Sequence, residues 1–189
     1  MARRGAAIGR HVRHRHRART ASAMTGWSDF TVVTGGAAAA LMGLLFVAVT
    51  LRIDAIAHAP DLRSRAAQTL TLFAVALVAA IVVTVPGQPT RVLGSELAML
   101  AVLGGSTMLA LDHRAEHVPH QDPIARTLAK VGPNATTILL IGIAGIAMVT
   151  GAGWGLYLLV PAQLAALTGG VVSAWLFLTS MTSVPPVSP

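Results

Sequence analysis

Residues 30–51, FTVVTGGAAAALMGLLFVAVTL, hold no ionisable side chain. A stretch of about 20 such residues, rising 1.5 Å each, covers a hydrocarbon core of about 30 Å, so it predicts a membrane-spanning helix. Trp27 stands before it as an aromatic interface anchor, and Ser28 and Asp29 are both good N-cap residues. The run ends at Arg52 and Asp54. Gly35, Gly36, Ala39, Ala40 and Gly43 recur at spacings of three and four. Small side chains at that period let a neighbouring helix approach closely, so this span is expected to be the central packing helix of a bundle.

The composition of the whole chain agrees. Of 189 residues 54% are hydrophobic and 11% charged, against roughly 25% charged in soluble domains. Mean hydropathy is +0.68. Aromatic residues make up only 4%, so Ala, Leu, Val and Gly supply the apolar mass. The absence of cysteine excludes disulfides, thiolate nucleophiles and cysteine metal ligands.

A net charge of +7 suggests nucleic acid until it is mapped. Arg3, Arg4, Arg10, Arg13, Arg15, Arg17 and Arg19 are half of the 14 basic residues, and from Met24 onward seven basic residues face seven acidic ones. The basicity belongs to residues 1–23, which lack the apolar core of a secretory signal and are expected to be disordered. Such an arm suits anionic lipid or RNA. The favoured expectation is instead that Met24 is the true first residue, because MTGWSDF leads straight into the span; no specific nucleic acid is expected as a partner.

Four more spans follow the first. Asp61 after Pro60 is positioned to cap a second helix, at 66–85, which Pro86, Gly87 and Pro89 end. A third, at 92–111, forms a tight hairpin with it. A fourth at 135–151 and a fifth at 156–178 are joined by GAGWG and must be antiparallel, with Trp154 and Tyr157 at one interface and Trp175 near the other. Between spans three and four, DPIARTLAKVG (122–132) has an Asp cap, Pro at the first helical position and an apolar face, which predicts a short interfacial helix. The fold class expected is therefore all-α: a polytopic bundle of five spans over residues 24–180, with a flexible tail at 181–189.

Orientation follows from the basic residues. Arg52, Arg63, Arg65, Arg114, Arg126 and Lys130 fall on one side and Arg91 on the other. The positive-inside rule then puts the N-terminus outside and the C-terminus in the cytoplasm of a cell-membrane protein. The arm opposes this, because its seven arginines join Arg91.

Candidate chemistry is sparse. Glu96 is the one carboxylate inside a predicted span, where an ionisable group is a functional suspect. It lies near the helix start, however, where it suits the dipole and is within reach of Arg91. Gln88 and Gln163 are polar groups that need partners, more often helix glue than ligand contacts. His113 and His117, four apart, and His120 beyond them form a weak metal candidate, but Pro119 interrupts the helix and Glu116 is not placed as in HExxH. His58 is a lone loop histidine. No catalytic residue, cofactor or firm metal site emerges.

The segments WSDF (27–30), TGGAAAALMGLLFVAVT (34–50), DLRSRA (61–66), VPGQ (85–88) and GSEL (94–97), in this order, resemble a group of small actinobacterial membrane proteins. The resemblance covers residues 27 to about 111. Some members are labelled modulators of a membrane-bound AAA protease, which implies a regulatory role; no catalytic residue comes with it. The leading expectation is thus a non-enzymatic accessory subunit that lies in the lipid bilayer and packs against a membrane complex or a second copy. A small oligomeric transporter or channel subunit is the alternative, with Glu96, Gln88 and Gln163 as its residues, and a metal-dependent membrane enzyme is third.

Overall fold

The computed structural model describes residues 2–51, 53, 60–115 and 132–181, with side chains at 27–51, 53, 63–113 and 132–176. The chain is an all-α bundle: α1 (Ala2–Leu51), α2 (Pro60–Thr84), α3 (Thr90–Ala115), α4 (Pro133–Val149) and, after a 3-10 segment at Gly153–Leu158, α5 (Leu159–Met181). No strand occurs among the described residues. Four apolar stretches are long enough to cross a membrane: Trp27–Leu51, Arg63–Thr84, Thr90–His113 and Gly153–Leu176. With all backbone groups bonded within helices, such segments tolerate lipid. They make this an integral membrane protein. The 17-residue α4 is equally apolar but shorter.

Helix α1 is continuous from Ala2, through residues expected to be disordered. Ala and Arg, which dominate residues 2–23, are strong helix formers, and no proline interrupts them. The expected interfacial helix at 122–132 lies outside the described residues, apart from Gly132.

Consecutive helices run antiparallel, as paired contacts from their two ends show. The Thr84 hydroxyl lies 3.0 Å from that of Thr31, joining the end of α2 to the start of the α1 span. Ser64 at the start of α2 donates to the Leu111 carbonyl near the end of α3 at 3.0 Å. Gly94 meets Met148, and Gly104 meets Ile138, down the α3–α4 pair. Gly155 meets Ala147 and Gly169 meets Pro133 between α4 and the segment leading into and through α5.

Two turns depend on backbone that only glycine adopts readily. Pro86 and Gly87, with φ of +72° at the glycine, supply the conformations of a type II turn between α2 and α3. At the end of α4, Gly151 has φ of +87°, its N–H donates to Met148 O at 3.1 Å and that of Ala152 donates to Ala147 O at 2.8 Å. This is a Schellman cap, which satisfies carbonyls the helix would otherwise leave open. The 3-10 segment before α5 puts Pro161 in the first turn of that helix, where a missing N–H costs nothing.

The central helix is α2, a correction to the expectation for the first span. It packs against α1, α3 and α5, while α1 leans chiefly on α2. Only 22% of the most apolar window of α1 is buried, against 44% for α2. The closest crossing is between α3 and α4: a Cβ on Gly145 would stand 2.6 Å from Ala98 N, and one on Gly94 would stand 2.7 Å from Gly145 O. Leu97, Ala101, Ile141, Ala144 and Met148 fill the interior around it, closed by Val75 and Ala79 of α2 and by Leu159 and Ala162 of α5. In lipid, this shape match rather than apolar burial holds helices together.

Candidate functional site

Three separate polar places inside the bundle each hold a glutamine. At the α2–α3 turn, Gln88 Nε2 donates to Glu96 Oε2 at 2.5 Å. Gln88 is carried back over the first turns of α3 by the Pro86–Gly87 turn, which brings two residues eight apart together. Glu96 is half-buried. The expected partner Arg91 is exposed, and no Glu96–Arg91 ion pair occurs among the described residues. Helix geometry explains the correction, since residues five apart lie about 140° apart around the axis and do not face each other. Gln88 Oε1 is buried without a hydrogen-bond partner.

Gln163 occupies the middle of the bundle and is 3% exposed. Its Nε2 donates to Ala76 O at 2.9 Å, linking α5 to α2. This contact fixes the amide orientation, because a flipped amide would set oxygen against oxygen. Gln163 Oε1 is then buried with no donor. Beside it Thr137, fully buried, donates back to Pro133 O at 2.7 Å, as helix threonines do.

At the opposite end from Glu96, the Gln68 amide donates to Asp112 Oδ1 at 2.5 Å, next to the Ser64–Leu111 bond. Sequence reading missed this seam: the partners are 44 and 47 residues apart, and only the hairpin brings them together. Their signal was a polar residue near the start of α2 and another near the end of α3.

Among the described residues, packed apolar side chains separate Gln163 from the Glu96 end. Ala76 lies eight residues, or about 12 Å, from the end of α2 at Thr84. Over that interval the interior is filled by Ala79, Val83, Leu97 and Met148. His113 is exposed at the end of α3, while His117, His120 and His58 lie outside the described residues. Among the described residues no group of three His, Cys, Asp or Glu comes together as metal ligands would.

The small residues of the first span divide between two faces. The face on α2 is Thr31, Thr34, Gly35, Ala38 and Leu45, all buried, and a Cβ on Gly35 would stand 3.0 Å from Ala80 Cβ. Gly36, Ala39, Ala40 and Gly43 are exposed, and Gly36 and Gly43 have nothing within 4 Å of an added Cβ. An open apolar groove between α1 and α2, lined by Val32, Gly35, Gly36, Leu77 and Ala80, adjoins this outward face. Near the turn end Trp27 meets Tyr157 edge-on at 5.3 Å between ring centroids, so two interface aromatics share one level of the bundle.

Compared with known proteins, the chain matches no family model, no curated protein and no solved structure.

Proposed function

We propose that this protein is a non-enzymatic accessory subunit of the cell membrane that packs the outer face of α1 against a partner membrane complex. One observation carries the reading: Gly36, Ala39, Ala40 and Gly43 turn away from the bundle and leave α1 open to close approach by another helix. In lipid, a helix gains nothing from hiding apolar surface as such, whereas a smooth small-residue face brings backbones near enough for dispersion and weak Cα–H···O contacts. The interior supports the same reading, because Glu96 is engaged by Gln88, the Gln163 amide donates to Ala76 O, and packed apolar residues lie between the two. In this reading all five helices cross the bilayer, the N-terminus is outside and the C-terminus is cytoplasmic. A regulatory role toward a membrane-bound protease is the form implied by the sequence resemblance.

The test is affinity purification in mild detergent of the wild type and of Gly36→Leu combined with Gly43→Leu. The expected result is one membrane complex recovered repeatedly with the wild type and lost with the variant, at unchanged expression. Recovery of that complex by both proteins would overturn the assignment of the face. Solute or proton flux in proteoliposomes that Glu96→Gln abolishes would put a transporter in its place.

A further inference from the structure

We propose that Arg63 and Arg65 bind the headgroups of anionic phospholipids at the end of the bundle opposite Glu96. Both side chains are exposed, whereas Ser64 between them and Ala66 after them are buried. Ser64 and Gln68 stitch the start of α2 to Leu111 and Asp112 of α3. That seam has an electrostatic consequence. Asp112, the carboxylate described at this end, is engaged by the Gln68 amide and not by an arginine. Neither arginine makes an ion pair among the described residues.

Depth selects the ligand. Ala66 begins the buried apolar part of α2, so the two arginines stand within about 5 Å of the hydrocarbon edge along the helix. Lipid phosphates occupy that level, and an arginine there lays its aliphatic stem on the apolar surface while its guanidinium meets the phosphate with paired N–H donors. Residues two apart project about 200° apart around a helix, so Arg63 and Arg65 flank the seam and take separate lipids. The sequence around this end adds Arg52, Arg114, Arg126 and Lys130, together with Asp54, Asp61, Glu116 and Asp122. Arg63 and Arg65 stand at the start of the apolar span Arg63–Thr84. At the other end Arg91 is exposed near Glu96, and the seven arginines of residues 3–19 precede Trp27 on the same side.

The inference rests on the membrane reading, and its experiment keeps the two apart. The full chain is reconstituted in vesicles of equal phosphatidylglycerol and phosphatidylcholine, and resistance to alkaline extraction is checked. It is then solubilised gently, and retained lipids are measured by native mass spectrometry. The wild type should retain phosphatidylglycerol in excess. Arg63→Gln or Arg65→Gln should each lower the excess about fivefold, the double variant more, and Arg91→Gln should leave it unchanged. Equal retention of the two lipids by an extraction-resistant wild type would overturn the headgroup site alone. So would an undiminished excess in the double variant, or an equal loss in Arg91→Gln. Release of the wild type by alkali would overturn the membrane reading itself.

Discussion

At the scale of single residues, the structure separates glycines that are needed from glycines that are free. A methyl group on Gly145 would meet the Ala98 backbone nitrogen at 2.6 Å, where neither atom can swing away. Gly145→Ala is expected to destabilise the protein by about 1–3 kcal/mol, the usual cost of overpacking. Gly36→Ala meets open space and should be neutral or stabilising by up to about 1 kcal/mol, because alanine gives up less chain entropy in a helix. Unfolding of the detergent-solubilised variants in increasing SDS compares them directly. Gln163 makes a different point. Its amide gives one hydrogen bond to Ala76 O but buries an oxygen with no donor, so the two effects oppose each other. Gln163→Met, nearly the same shape, should lie within about 1 kcal/mol of the wild type, since it removes a buried oxygen without a donor and leaves the Ala76 carbonyl, inside α2, to its helical hydrogen bond. Gln163→Ala should lose about 2 kcal/mol or more to the space it leaves. A collapse of Gln163→Met in the same assay would mean that the amide does more than join α5 to α2.

At the scale of elements, the α2–α3 hairpin is closed at both ends by polar contacts, Gln88 with Glu96 at the turn and Gln68 with Asp112 at the open end. Hydrogen bonds to a carboxylate are stronger than those between neutral groups, so Glu96→Gln should cost about 1 kcal/mol. Glu96→Ala and Gln88→Ala should be non-additive, with a coupling of about 0.5–2 kcal/mol in a double-mutant cycle; strict additivity would remove the pair as a clamp. The helices themselves were legible from the sequence because apolar length, proline and glycine act locally. Their faces were not. Gly35 and Gly36 are adjacent and chemically identical, yet one is packed on Ala80 and the other is open, because the rotation of α1 is set by its fit to α2 rather than by its own pattern. For the same reason the first span, richest in small residues, was expected at the centre, although α2 holds that place by touching three neighbours. Glu96 and Gln88 were found as candidates because polar atoms stand out in a span. Their pairing was hidden, since it depends on how sharply Pro86 and Gly87 turn the chain.

At the scale of the whole molecule, the alternation of five helices puts Trp27, the Gln88 turn and Gly153 at one end and Arg63, Asp112 and His113 at the other. Because the chain has no native cysteine, single-cysteine labelling reads this arrangement without background. Arg91→Cys and Gly153→Cys are expected to react with an impermeant maleimide on intact cells, and His113→Cys only after permeabilisation. Labelling of Arg91→Cys and Gly153→Cys from opposite sides would show that the 17-residue α4, about 26 Å long, does not cross. The α3–α4 crossing bears on how such a bundle is able to move. Where Gly94 and Gly145 touch, backbone lies on backbone with no side chain between them. A slip of α3 by one turn would bring Thr90 or Ala98 to that point, each with a Cβ where only hydrogen fits. The two helices can therefore tilt about the contact but cannot ratchet along it, so a rearrangement of the protein that keeps this packing leaves Gly94 seated on Gly145.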